Sequence, residues 1–294
     1  MKRWTWLILL TGILALTACG SSTSEESSQS GSSAYYIENK GSDTLVNLAL
    51  AWAERYQEEY PDIQISVTGG GSGTGFTALI NGTVDIANAS RQIKDLEIEM
   101  AESAGFTPYE ITVANDAIGV IVNPENPVSE LTLEQVSKIY KGEINNWKEV
   151  GGEDRPIVRL SRETNSGTHV YFLETVIRLG DEEDTDIFSA DTLLLPSSEG
   201  IIAEVSSNPN AIGYDGLGYI TDEVKTIALA SKAGRDYILP SAATVIDGTY
   251  PVSRGLYMYT RGEPDGIIKD YLDWILSDEA QEIVTELGFV PILK

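Results

Sequence analysis

The chain has 294 residues, with 20 Lys+Arg, 45 Asp+Glu, one His and one Cys, a formal net charge of −25 and 42% hydrophobic residues. That length and apolar content support one or two domains with sizeable cores, and the acidic surplus excludes a nucleic-acid or anionic-membrane partner held through a broad basic surface. The lone Cys excludes an intramolecular disulfide and any Cys-cluster metal site, and the lone His leaves little room for His-based metal or triad chemistry.

Lys2 and Arg3 precede an apolar run at 4–16 that is broken only by Thr5, Thr11 and Gly12. The run is shorter than the roughly 20 residues of a membrane span and has the form of a secretory signal. Leu16-Thr17-Ala18-Cys19-Gly20 resembles the lipobox of bacterial lipoproteins. That resemblance implies a signal peptide at 1–18, cleavage before Cys19 and a lipid on its sulfur. The plainer alternative is an ordinary signal peptide with a chance Cys. Residues 19–34 are Ser-rich, lack apolar periodicity and predict a flexible tether.

Beyond the tether, strand and helix signals alternate. Apolar residues at helical spacing predict a helix over 47–60, stopped by Pro61. A strand over 63–67, a short helix over 76–81 and a buried strand over 84–87 follow. A helix is predicted over 93–104, then strand-like runs at 111–114 and 118–122. A helix over 133–140, a strand over 157–160 and a helix over 170–179 come next, with two helices over 270–276 and 280–287. The alternation predicts an α/β body with largely parallel sheets.

Three loops share one chemistry. Gly41-Ser42-Asp43-Thr44 lies just before the first helix. Gly69-Gly70-Gly71-Ser72-Gly73-Thr74-Gly75 joins a strand to a short helix, and Ser161-Arg162-Glu163-Thr164-Asn165-Ser166-Gly167-Thr168 joins a strand to the helix at 170. Glycine lets the backbone approach a ligand, Ser and Thr supply hydroxyl donors, and helix N-termini offer free N–H groups to an anion. One such loop is commonly a helix cap and nothing more. Three together, one with Arg162, point to an oxyanion.

Other phosphate and hydrolase signatures are missing. Phe76 follows Gly75 where a Walker loop needs Lys, and the spacing also fails G-x-G-x-x-G. No G-x-S-x-G elbow is present. A serine hydrolase would need His169 as its base, but it directly follows Thr168 and reads as a helix-start residue. The acidic residues lack calcium-loop spacing, so most read as solvated surface.

The three loops together resemble the Pst-type phosphate-binding proteins, the substrate receptors of bacterial phosphate ABC importers. Val84-Asp85-Ile86-Ala87-Asn88-Ala89-Ser90-Arg91, Ala211-Ile212-Gly213-Tyr214, Tyr250-Pro251-Val252-Ser253-Arg254 and Gly288-Phe289-Val290-Pro291-Ile292 also read like the family. Arg162-Glu163-Thr164-Asn165-Ser166-Gly167-Thr168 matches its R-x-x-x-S-G-T signature, the most specific of the set. The resemblance implies a type II periplasmic-binding-protein fold, with two lobes, a hinge crossed twice and a ligand between them. It places one lobe at 35–115 plus 248–294 and the other at 116–247. It implies a receptor that is not an enzyme and uses no cofactor. This receptor would be a monomer, would bind inorganic phosphate outside the membrane and would pass it to permease subunits. The implied ligand set is Thr44, Ser72, Ser90, Arg91, Arg162, Ser166, Gly167 and Thr168.

One position departs from part of the family. Some members carry Asp where this chain has Arg91, and that Asp accepts the proton of bound phosphate and rejects sulfate, which has no proton to give. Arg91 cannot accept a hydrogen bond. Asp43 is the candidate substitute acceptor; its plainer role is to cap the helix that follows. Arg91 itself either contacts the ligand or braces its loop through a carboxylate. Another oxyanion such as sulfate, molybdate or tungstate therefore stays open as the ligand, with a secreted phosphatase as the enzymatic alternative. The acidic surplus does not forbid an anion. At physiological salt the Debye length is about 8 Å, so local donors outweigh distant carboxylates.

Overall fold

The computed structural model describes residues 35–292. The segments read as signal peptide, lipidated Cys19 and tether lie outside the described residues.

The first half of the chain runs β1 (Tyr35–Gly41), α1 (Val46–Glu59), β2 (Ile63–Thr68), α2 (Ser72–Ile80), β3 (Ile86–Ala89), α3 (Asp95–Ser103) and β4 (Tyr109–Val122). The middle adds β5 (Glu130–Thr132), α4 (Leu133–Lys141), β6 (Val158–Arg162), α5 (Gly167–Phe172), β7 (Leu193–Leu195), α6 (Ser198–Ser207) and β8 (Ala211–Gly216). Short strands β9 (Lys225–Thr226) and β10 (Ala228–Ala230) and helix α7 (Ala242–Ile246) lead to β11 (Ser253–Thr260), α8 (Gly266–Ile275) and α9 (Asp278–Glu286).

Local chemistry explains several boundaries. In α1 the residues Leu48, Ala49, Trp52, Ala53 and Tyr56 recur at helical spacing and are all buried. Thr132 caps α4 by accepting from Gln135 N at 3.2 Å, while Gln135 Oε1 accepts from Thr132 N at 2.9 Å. Gly142 closes that helix at φ 79°.

The main sheet has the order β2-β1-β3-β11-β4-β8-β6-β7, with β9 also beside β4. Its flanks are parallel: β1 with β2 and β3 on one side, β6 with β7 and β8 on the other. Its centre is antiparallel, because β11 pairs antiparallel with β3 and β4, and β4 with β8. The expected parallel character therefore holds only where helices make the crossovers. The runs at 111–114 and 118–122 are one strand, not two. Residues 109–117 of β4 pair with β11 and residues 118–122 with β8, so this strand carries the chain from one half of the sheet to the other. The helix predicted over 170–179 begins earlier, at Gly167, and gives way to a π-turn over Leu173–Ile177 before Leu179 and Gly180 take positive φ.

Two large apolar clusters pack against the sheet. Trp52 and Tyr56 of α1 pack with Tyr271 and Ile275 of α8 and Val284 of α9, and Trp52 Nε1 donates to Ala280 O at 2.9 Å. In the other, Tyr140, Trp147, Phe172 and Tyr214 are buried, with the Phe172 and Tyr214 rings stacked at 3.6 Å. Burying each such side chain contributes roughly 1.5–3 kcal/mol. Among the described residues no helix is long and apolar enough to cross a membrane. The carboxyl ends of β1, β3 and β6 open into the loops that carry the predicted site residues, the place where open α/β sheets hold ligands.

Candidate oxyanion site

Five hydroxyl side chains, those of Ser42, Thr44, Ser72, Ser90 and Thr168, are all at least 98% buried. Ser42 and Thr44 follow β1, Ser72 starts α2, Ser90 follows β3 and Thr168 lies in α5. Ser42 Oγ donates to Ser90 Oγ at 2.8 Å, and Ser72 Oγ lies 3.4 Å from Ser90 Oγ and accepts from Ser90 N at 3.1 Å. Thr44 Oγ1 and Thr168 Oγ1 meet at 2.9 Å across 124 residues of chain.

Glycine makes this approach possible. A Cβ on Gly167 would lie 2.4 Å from Ser72 Oγ and 2.5 Å from Ser90 Oγ, so the backbone of the third loop is seated directly on the hydroxyls of the second. Gly71 has φ 88°, and a Cβ there would strike Asn165 O at 2.6 Å. The same two loops are joined by Gly73 N donating to Asn165 O at 3.1 Å and by Asn165 Nδ2 donating to Gly70 O at 2.8 Å.

Arg162 is 1% exposed at the end of β6. Its Nη2 donates to Asp43 Oδ2 at 2.7 Å and to Pro196 O at 2.9 Å, its Nη1 donates to Ser198 Oγ at 2.8 Å, and its Nε is buried without a partner. Asp215 Oδ2 lies 3.9 Å from Nη1. Burial pushes the Asp215 carboxyl up to about 6, with Arg162 opposing the shift. Asp43 is engaged on both oxygens, since Oδ1 accepts from Gly70 N at 2.9 Å.

The other predicted positions fall as follows. Ser166 caps α5, accepting from Thr168 N at 3.2 Å and His169 N at 3.5 Å, which leaves its own proton free. Arg91 forms a fork on Glu97, with Nη1 to Oε2 at 2.8 Å and Nη2 to Oε1 at 2.7 Å, and lies over the Phe76 ring. This is the bracing arrangement, not a contact with the hydroxyl cluster. His169 is buried against Phe188, and its Nδ1 lies 2.9 Å from Ser161 Oγ. That Ser is fully buried and shared with the Tyr214 hydroxyl at 2.6 Å, so the pair presents no exposed nucleophile. Burial holds His169 down at about 4. Among the described residues no cluster of His, Cys, Asp and Glu could hold a metal ion.

The structure adds a cation that the sequence did not assign. Arg254 of β11 donates from Nη2 to Thr168 Oγ1 at 3.0 Å and to Thr44 Oγ1 at 3.4 Å, and from Nη1 to Ser90 O at 2.9 Å. Its counter-ion is Asp116, fully buried, which accepts from Nη2 at 3.0 Å and from Nε at 3.3 Å. Burial raises the Asp116 carboxyl, and Arg254 opposes that shift. The only sequence signal for Arg254 was its place in the run Tyr250-Pro251-Val252-Ser253-Arg254.

A cluster of buried hydroxyl donors and two compensated guanidinium groups, on a mixed sheet with helices on its faces, fits a solute-binding protein of the type II periplasmic-binding-protein class. A sequence profile described as a PBP superfamily domain matches residues 24–279. The phosphate-binding protein PstS of Pseudomonas aeruginosa is 34% identical over 273 residues, covering 87% of this chain and 83% of that one. PstS of Bacillus subtilis is 32% identical over 295 residues, covering 97% and 93%. A phosphate ABC transporter substrate-binding protein from Clostridium perfringens, solved with bound phosphate, has TM-score 0.78 and 32% identity, covering 88% of this chain and all of that one. An ABC-type phosphate transport receptor from Vibrio cholerae has TM-score 0.70 and 30% identity, covering 87% and 100%. The chain belongs to the Pst-type phosphate-binding protein family.

Proposed function

We propose that the protein is an extracytoplasmic receptor that binds inorganic phosphate with high affinity and delivers it to an ABC importer, without catalysing a reaction. The observation that carries this reading is the buried cluster of Ser42, Thr44, Ser72, Ser90 and Thr168, whose mutual hydrogen bonds use three of the five hydroxyl protons and leave two to donate. Such a set suits a ligand whose oxygens are nearly all acceptors. Hydrogen bonds to a charged group contribute roughly 1.5–3 kcal/mol each, enough in sum to offset desolvation of the anion.

Lobes at 35–115 plus 248–294 and at 116–247 would close over the ligand by hinge motion. Contacts that join the two segments support this, among them Arg162 with Asp43 and Thr44 with Thr168. A lipid on Cys19 and the tether 19–34 would hold the monomeric body at the outer face of the membrane, in reach of the permease subunits.

One observation keeps a second reading in play. Both Asp43 oxygens already accept from protein donors and Arg91 faces Glu97, so phosphate has no evident advantage over a fully deprotonated oxyanion such as sulfate, molybdate or tungstate. Calorimetric titration of the ligand-stripped body, residues 34–294, with phosphate and then sulfate tests both. One-to-one phosphate heat without sulfate heat supports the phosphate receptor. Equal binding makes it a general oxyanion receptor, and silence to both refutes the reading.

A further inference from the structure

We propose that Arg254 fills a lone pair on each hydroxyl of the Thr44–Thr168 pair, so that whichever of the two accepts from the other is an obligate donor to the bound anion. Arg254 is then a positioning residue of the site, and the inference rests on the phosphate reading above.

A guanidinium has five N–H donors and no acceptor, whereas a hydroxyl has one proton and two lone pairs. Arg254 Nη2 therefore occupies a lone pair on Thr168 Oγ1 at 3.0 Å and, at longer range, on Thr44 Oγ1 at 3.4 Å. The two hydroxyl oxygens are 2.9 Å apart, so one donates to the other. The hydroxyl that accepts in that pair has both lone pairs filled, one by Arg254 and one by its partner. Its own proton is the only valence left, so at this point it can act only as a donor. The site thereby demands a hydrogen-bond acceptor at this point and disfavours a ligand that presents only a donor there.

Arg254 cannot swing away from this duty. Asp116 Oδ2 takes both Nε and Nη2, while Asp116 Oδ1 accepts from Leu217 N at 3.0 Å. Ser90 O takes Nη1, and the Tyr171 ring lies 5.6 Å from the guanidinium carbon. Arg254 and Asp116 are also direct cross-strand partners in the β11–β4 register, so the backbone itself sets their distance. Because the carboxylate compensates the charge, the guanidinium supplies directed N–H groups more than net positive charge.

A double-mutant cycle tests this, reading phosphate affinity by calorimetry for the wild type, Arg254→Gln, Thr168→Val and the double variant. Arg254→Gln is expected to weaken phosphate binding about 10- to 100-fold when Thr168 is present, and less than about threefold in the Thr168→Val background, because the hydroxyl it orients is gone. Arg254→Lys, a cation that also cannot accept, is expected to recover part of the loss. A loss of equal size in both backgrounds would overturn the proposal, as would an Arg254→Gln affinity within about twofold of wild type. If Arg254→Gln does not fold, the cycle is run with Arg254→Lys: a loss that shrinks in the Thr168→Val background supports the proposal, and a loss of equal size in both backgrounds overturns it. Failure of the wild type to bind phosphate would instead refute the receptor reading.

Discussion

Arg162 and Asp43 stand 119 residues apart in the chain and 2.7 Å apart in the fold, where Arg162 Nη2 donates to Asp43 Oδ2. The contact joins the end of β6 to the turn after β1, the two segments that the signature loops contribute to the site. It also orders Asp43, whose backbone O accepts from the Tyr219 hydroxyl at 2.7 Å.

Asp43→Asn keeps an oxygen for Gly70 N but removes the nearest negative charge from a buried guanidinium. Asp43 remains partly exposed, so the expected cost is about 1–3 kcal/mol, below that of a fully buried pair. A thermal melt should show a lower midpoint. The same variant tests Asp43 as acceptor of the phosphate proton. If it has that role, the preference for phosphate over sulfate should drop by about tenfold or more. An unchanged ratio rules the role out.

Gly167→Ala places a methyl group against Ser72 Oγ and Ser90 Oγ, each under 3 Å from the Cβ position. Gly167 has ordinary backbone geometry for an L-residue, so the conflict is one of space alone. The two hydroxyls must turn away from the cluster or the loops must part. The expected result is a loss of phosphate affinity of about 100-fold, equivalent to about 2–3 kcal/mol. An affinity within about threefold of wild type would show that the second and third loops do not close together on the ligand.

Acid stability should reveal two buried groups working against each other. Asp215 is raised from 3.8 to about 6, so the folded state holds its proton more tightly than the unfolded chain. Its contribution grows as pH falls through about 6 and is absent above it. Asp116 is raised as well and acts in the same sense. His169 is lowered from 6.5 to about 4, so its contribution is complete above 6.5 and is lost as pH falls toward 4. Between pH 6.5 and 4, Asp215→Asn should therefore lose thermal stability more steeply than wild type, and His169→Gln less steeply. Parallel melting curves across that range for all three proteins would contradict the assignment.

The loops were legible in the sequence because their signal is local. Ser42 to Thr44, Ser72 and Ser166 to Thr168 sit in short runs of glycine and hydroxyl residues next to apolar helical patterns. Arg254 and Asp116 were not legible, because they meet through the register of β11 on β4 across 138 residues. A single sequence carries no record of that pairing. The polar Asn115-Asp116 pair also hid the continuity of β4, since it interrupts two apolar runs with a carboxylate that only its partner makes tolerable inside a sheet. Arg162 was assigned from its motif, but its direction toward Asp43 and Ser198 depends on loops far away in the chain.

Arg91 separates bracing from ligand contact by a different measurement. Its fork on Glu97 is largely buried, and Glu97 Oε2 also accepts from Lys94 N at 2.9 Å at the start of α3. Arg91→Met keeps an unbranched apolar side chain but removes the guanidinium that lies over the Phe76 ring and leaves the Glu97 carboxylate without its fork. The expected effect is on the fold, with stability lower by about 1–3 kcal/mol, because one partner of a largely buried pair is lost. Phosphate affinity should stay within about threefold of wild type, since no hydrogen bond to the ligand is removed. A loss of about tenfold or more at unchanged thermal stability would place the Arg91 guanidinium on the anion and reverse that assignment.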